Sequence, residues 1–218
     1  MGCAACHCAL VRSQTRVLHE NITARSQYAS PDLINAIAYH GHDPADDPNW
    51  RQTGTPSQAQ YARWCRQWCG MTCLQMILTH RNGTAPSLHT LVIGCQAFGG
   101  YQEQSDGSIR GLVYEPFARY VGAVHDLGAQ IHRELPIAGI RDQVAAGHMV
   151  IASVHKEIRK PDLPATGKGG HLVLVTGYDG DLVHFRNPSG HTENTRTAVL
   201  SFATFAAFYA ERAISIAT

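Results

Sequence analysis

The sequence predicts an α+β domain built on an antiparallel sheet. Two observations carry this: helix-periodic stretches come first along the main part of the chain, and strand-like runs cluster late. A third is the pair of apolar runs His171 to Tyr178 and Leu182 to Arg186. They are separated by Asp179-Gly180-Asp181, a hairpin turn that makes neighbouring strands antiparallel.

The elements follow in order. Pro31 to Tyr39 reads as a short helix with Ser30 as its N-cap and Pro31 at its first position. His40 to Trp50 is a polar, turn-rich connector. Residues 1–54 are therefore read as an N-terminal arm or linker, and 55–218 as the main domain. No chemistry-bearing motif falls in the arm, so a chain starting near Trp50 is expected to fold. A helix is expected from Gly70 to His80, ended by Asn82-Gly83. A second spans Glu115 to Leu127, with Phe117, Tyr120, Val121 and Val124 as its apolar stripe and Gly128 as its stop. Ala129 to Leu135 reads as a strand. Pro136 opens a third helix that ends at Gly147. Met149 to Val154 is a short buried strand, and Lys156 to Gly170 a loop rich in Pro, Gly and Lys. A short helix from Ser201 to Ala210 precedes a last strand, Ala213 to Ile216. There is no internal repeat.

The chain has 218 residues, enough to bury a sizeable core without covalent staples. Apolar residues make up 44%, and the formal net charge is +1, so no nucleic-acid or membrane-surface partner is expected. No apolar run approaches the roughly 20 residues of a spanning helix. The N-terminus lacks a charged segment followed by an apolar one and is not a secretory signal. With seven cysteines complete intramolecular pairing is impossible, and the expected setting is a reducing cytoplasm.

Cys69 stands in Trp68-Cys69-Gly70, directly before the apolar stretch Met71 to Leu78. About a hundred residues downstream, His171 opens a strand and Asn187 lies in Arg186-Asn187-Pro188-Ser189-Gly190. A cysteine at the mouth of a helix, a histidine opening a strand and an amide on the next strand form a thiol-nucleophile pattern. The thiolate is the nucleophile, and a helix N-terminus or adjacent imidazolium favours it. The Asn side-chain carbonyl can hold the imidazole in one tautomer and orientation. Each residue alone has a plainer meaning: Cys69 a buried hydrophobe, His171 one of 13 histidines, Asn187-Pro188 a turn. Order and spacing together favour the catalytic one.

On these residues the chain resembles the papain superfamily, and within it the bacterial group of double-glycine leader peptidases that mature bacteriocins. The segment Cys69 to Leu78 is similar to that group's nucleophile helix, His171 to Asp179 to its histidine strand, and Asn187-Pro188-Ser189-Gly190 to its Asp-Pro segment. The likeness covers residues 55–218. It implies a papain-like fold, with a nucleophile helix packed on an antiparallel sheet, and a Cys69–His171–Asn187 triad. Two departures stand out. Asn187 replaces the group's usual Asp, and Arg63 occupies the position of a Gln whose amide serves the oxyanion hole. Gln60, after a short insertion, is the first candidate for that donor, and Gln67 the second. Backbone N–H groups of Cys69 and Gly70 can supply the rest of the hole. The group's ATP-binding transporter is absent, so a free-standing enzyme is expected.

The expected chemistry is attack by Cys69 on a carbonyl, giving a thioester resolved by water (peptidase or amidase) or by an amine (a transglutaminase-like acyltransferase). The substrate is then a peptide, such as a precursor peptide, or an acyl thioester on a carrier protein. A third possibility is an inactive peptide-binding module. No cofactor or metal is expected. Cys3, Cys6, Cys8 and His7 have a ligand-like spacing but no second ligand pair, and read instead as a reactive tail. Cys65, Cys69 and Cys73, spaced by four, read as one nucleophile and two packed thiols, with Cys65 the alternative nucleophile. Thr166 to Gly170 is not a phosphate loop and is taken to let the backbone approach substrate near His171. His184 and His191 are taken as surface residues.

Overall fold

The computed structural model describes residues 15–218. In chain order the elements are β1 (Arg16–Leu18), α1 (Ile34–Tyr39), α2 (Gln58–Trp64), α3 (Cys69–Asn82), α4 (Leu88–Ala97), β2 (Gln102–Glu103), β3 (Ile109–Arg110), α5 (Tyr114–His125), β4 (Ala129–His132) and α6 (Ile137–Ala145). They continue as β5 (His148–His155), β6 (Gly170–Asp179), β7 (Leu182–Arg186), α7 (Glu193–Arg196), β8 (Thr197–Ser201), α8 (Phe202–Phe208) and β9 (Tyr209–Ala217). The main sheet runs β4-β9-β5-β6-β7-β8, with β1 added beside β6, and every pairing is antiparallel. The α+β expectation holds.

The sheet is covered on both faces, so its central strands read as continuous apolar runs rather than alternating ones. The period of two is still visible in where the side chains go. Met149 and Ile151 of β5, Leu172 and Leu174 of β6, and Ile214 and Ile216 of β9 join the core under α3, α4 and α5. Val150 and Ala152, Val173 and Val175, and Ala213 join a second core under α6 and α8.

Residues 15–54 pack onto this body. Ile22, Tyr28, Ile34, Ile37 and Trp50 are buried in the first core. Asp47, fully buried, accepts hydrogen bonds from the Ser30 hydroxyl (2.6 Å), the Ser30 and Asn49 N–H groups (3.0 Å each) and the Tyr61 hydroxyl (2.7 Å). Burial pushes its carboxyl up, and these hydrogen bonds outweigh that, leaving it below the usual carboxylate range. Removing the arm therefore uncovers apolar core, and the expectation that the chain folds from near Trp50 does not fit this packing.

Local differences have local causes. Pro31–Leu33 is a 3-10 turn leading into α1, and the Ser30 hydroxyl bonds Asp47 instead of capping it. The charged acceptor is the stronger partner. The second expected helix ends at Asp126 in the left-handed region (φ 52), two residues before Gly128, and Val124 is 54% exposed rather than part of the apolar stripe. Strand β4 stops at His132 because the Leu135 N–H pairs with Glu211 O (2.7 Å), off the ladder. Helices α2, α4 and α7 and strands β1, β2, β3 and β8 were not expected. They are short, and propensity alone marks such elements weakly.

Candidate active site

The α-helical path is interrupted just before Cys69. Helix α2 stops at Trp64, Cys65–Gln67 form a 3-10 turn, and α3 starts afresh at Cys69. Cys65 therefore does not share a continuous helix with Cys69 and Cys73. The first-turn N–H groups of a helix have no intrahelical acceptor. The Cys69 sulfur lies within hydrogen-bond reach of the N–H groups of Cys69, Gly70 and Leu172, the last being the neighbour of His171. Gly70 permits this approach: a Cβ there would lie 2.6 Å from Leu112 Cδ2 and 3.0 Å from Leu172 Cδ1. The missing side chain lets α3 sit directly on β6.

His171 is the second residue of β6 and is buried, 6% exposed. Its Nε2 lies 2.8 Å from Asn187 Oδ1. Because that oxygen only accepts, Nε2 carries the proton and Nδ1 is the free base. Asn187 is fully buried just beyond β7, and its own N–H donates to Arg196 O (2.9 Å). Ser189 completes the group. Its N–H donates to Asn187 Oδ1 at 3.0 Å, and its hydroxyl oxygen lies 3.1 Å from His171 Nε2. Cys69 and His171 line one cavity of about 390 Å³, a size suited to a small ligand or a few peptide residues. Gln67, Leu112, Tyr114 and Ser153 also face it.

The family of this chain follows from its sequence: residues 35–214 match the Peptidase_C39 like family. The chain belongs to that family. No curated protein matches the sequence. Solved structures similar to the chain include a double glycine motif protease from an AMS/PCAT transporter in complex with the leader peptide. It is 15% identical, with 69% of this chain and 84% of that chain covered and a TM-score of 0.43. Another is the peptidase domain of Streptococcus ComA, a bi-functional ABC transporter involved in a quorum sensing pathway (10%, 69% and 91%, 0.45). A third is a C39-like peptidase candidate from Bacillus anthracis (16%, 70% and 89%, 0.48).

Within this Peptidase_C39-like chain the remaining sequence candidates are spread. Gln67 lines the cavity with Cys69, and its backbone carbonyl accepts from the Tyr101 hydroxyl at 3.2 Å. Gln60 is exposed on α2 and is not among the cavity residues. Arg63 is exposed and ion-paired with Glu103 at 2.5 Å. His184 and His191 are half-buried rather than on the open surface, and His184 Nε2 and His191 Nδ1 are buried without a hydrogen-bond partner among the described residues. Cys3, Cys6, Cys8 and His7 lie outside the described residues. Among the described residues no group of three or more His, Cys, Asp or Glu is placed to hold a metal ion. Among them, too, no helix is long and apolar enough to cross a membrane.

Electrostatics depart from the sequence-based picture of a thiolate stabilised by imidazolium. Burial pushes the Cys69 thiol up to about 11, against the opposing pull of the Leu172, Gly70 and Cys69 N–H groups. Burial also pushes His171 down to about 4, against its hydrogen bond to Asn187. The resting pair is thus a thiol and a neutral imidazole, because neither charge is solvated there. Even so, Cys69 is the least buried of the four described free cysteines; Cys65 and Cys95 are pushed to about 12 and Cys73 well above its ordinary value.

Several residues around the site carried no sequence signal. Gln27, from the arm, is 2% exposed and spans two halves of the site. Its backbone N–H donates to Pro188 O (2.8 Å), and its side-chain Nε2 donates to Cys65 O (2.8 Å). Arg186 Nε donates to Ile22 O at 2.8 Å, a second tie between the arm and the Asn187 segment. Ser189 could have been noticed from its place two residues after Asn187, where hydroxyl-to-backbone turns are common.

Proposed function

We propose that this chain is a cysteine peptidase or amidase in which Cys69 attacks a peptide or amide carbonyl. His171 takes the thiol proton on Nδ1 and returns it to the leaving amine, and Asn187 holds the ring. The Cys69 sulfur bonds to the carbonyl carbon, the amine leaves with the proton, and water then cleaves the thioester to free acid and thiol. The first-turn N–H groups and the Gln67 side chain receive the developing oxyanion. A neutral resting pair fits general-base attack, in which the proton leaves the sulfur as the new bond forms. The observation that carries this reading is the His171 Nε2–Asn187 Oδ1 contact of 2.8 Å beside a cavity that also contains the thiol at the start of α3. Membership of a peptidase family supports the peptide bond as its target.

The test is labelling by a peptide vinyl sulfone followed by peptide mapping. One adduct, on Cys69, is expected, with none in Cys69→Ser and strongly slowed labelling in His171→Ala. Labelling at Cys65 instead would move the nucleophile. An amine added in a thioester-partition experiment separates hydrolysis from amide formation: free acid is expected to dominate, and amide dominating at about millimolar amine would make the chain an acyltransferase with the same residues.

A further inference from the structure

Arginines converge on the cavity from four separate elements. Arg66 precedes α3, Arg110 ends β3, Arg133 follows β4, and Arg212 lies on β9. Glu115 is the only carboxylate among the residues lining it, and it is already ion-paired with Arg133. Arg66, Arg110 and Arg212 have no ion pair among the described residues. The whole chain carries a net charge of only +1, so three arginines without an ion pair at one cavity do not simply reflect a basic chain.

Arg212 is the most specifically placed. Residue Glu211 before it has φ 55, a left-handed conformation that a non-glycine residue adopts at a cost. The β5–β9 register shifts here, between the pairs Ala152–Ala213 and Val154–Tyr209. A bulge of this kind turns a side chain out of the regular alternation. It brings the guanidinium over Gly169, two residues before His171: a Cβ on Gly169 would lie 2.9 Å from Arg212 Nη2 and 3.3 Å from Ser153 Oγ. Gly169 itself has φ 78, a backbone conformation that strains any other residue there. The Tyr114 hydroxyl lies close to Ser153 in the same corner. A guanidinium and two hydroxyls thus face one point of the cavity wall, and no acidic side chain answers them.

We propose that Arg212, with Ser153 and Tyr114 and supported by Arg110 and Arg66, forms an anion subsite that selects substrates carrying a carboxylate close to the carbonyl attacked by Cys69. This rests on the cysteine-peptidase reading above. A guanidinium recognises a carboxylate through paired N–H donors, and a cavity wall of one charge sign raises the local concentration of an oppositely charged substrate. The carboxylate belongs either to an acidic side chain flanking the scissile bond or to the free C-terminus of a short peptide.

The experiment uses the full chain and two small thiol reagents of matched shape, iodoacetate and iodoacetamide. Alkylation of Cys69 is followed by mass mapping in the wild type and in Arg212→Gln and Arg110→Gln. The iodoacetate rate is expected to fall about tenfold in Arg212→Gln and less in Arg110→Gln, while the iodoacetamide rate stays within about twofold. About 0.5 M salt should compress the difference. An unchanged iodoacetate-to-iodoacetamide ratio in both variants, with Cys69 still labelled by the neutral reagent, overturns the anion subsite and leaves the nucleophile assignment standing. Failure of both reagents to label Cys69 overturns the cysteine-peptidase reading and the subsite with it. Once the subsite is supported, cleavage of short peptides with Glu or Gln beside the scissile bond, each with a free or an amidated C-terminus, separates the two sources of carboxylate.

Discussion

Replacing Asn187 by alanine probes how much of the chemistry depends on holding one ring. In the wild type Asn187 Oδ1 accepts from His171 Nε2 at 2.8 Å, with Asn187 fully buried and His171 nearly so. Leaving a buried donor unsatisfied costs about 1–3 kcal/mol, equivalent to roughly 5- to 150-fold in rate if all of it falls on the transition state. Ser189 decides where in that range the effect falls. Its oxygen already lies 3.1 Å from the same nitrogen and can take over as acceptor. Asn187→Ala is therefore expected to slow Cys69 labelling only about tenfold, while Asn187→Ala with Ser189→Ala approaches 100-fold, more than the separate effects combined. Asn187→Asp should behave differently. A carboxylate beside the buried imidazole raises the His171 pKa from its depressed value of about 4, so the acid limb of the pH–rate profile moves to higher pH while activity is retained. The assay is pseudo-first-order labelling by a peptide vinyl sulfone across pH, with thermal melts to confirm folding. A wild-type rate in the double variant, or an acid limb unmoved in Asn187→Asp, would refute Asn187 as the group that holds the ring.

Gln67→Ala should lower the rate of Cys69 acylation by an activated peptide ester by about 10²-fold and Gln60→Ala leave it unchanged, since only Gln67 faces the cavity; the reverse pattern would relocate the oxyanion hole. Gln27→Ala breaks the side-chain bridge to Cys65 O and is expected to lower stability by about 1–2 kcal/mol, read as a shift in the urea midpoint, and to slow labelling although Gln27 is not a cavity residue. A chain starting at Trp50 should be insoluble or unlabelled at Cys69, and a soluble, reactive truncation would show that the arm is dispensable. Acid should destabilise the protein through His171. Its folded pKa of about 4 lies below the ordinary 6.5, so the unfolded chain binds the proton first. Stability is full above pH 6.5 and falls as pH drops toward 4, by roughly 3 kcal/mol from this residue. Melts of the wild type and His171→Gln across that range should converge as pH falls, and parallel curves would refute the assignment.

Helix α3 and the two-strand hairpin were legible in the sequence because each is decided locally. An apolar run with a glycine stop makes α3, and two apolar runs around Asp179-Gly180-Asp181 make β6 and β7. The placement of Cys69 before Gly70, of His171 at a strand start and of Asn187 after the next strand was also visible as order and spacing. Tertiary structure decided what depends on desolvation and on contacts between distant segments. It buried Cys69 and His171 deeply enough that both resting forms are neutral, which no spacing encodes. It brought Gln27 of the arm to Pro188 and Cys65, and a bulge at Glu211 turned Arg212 toward His171. Local sequence sets element type through propensity and period, whereas charge state and site shape follow from which elements the folded chain packs together.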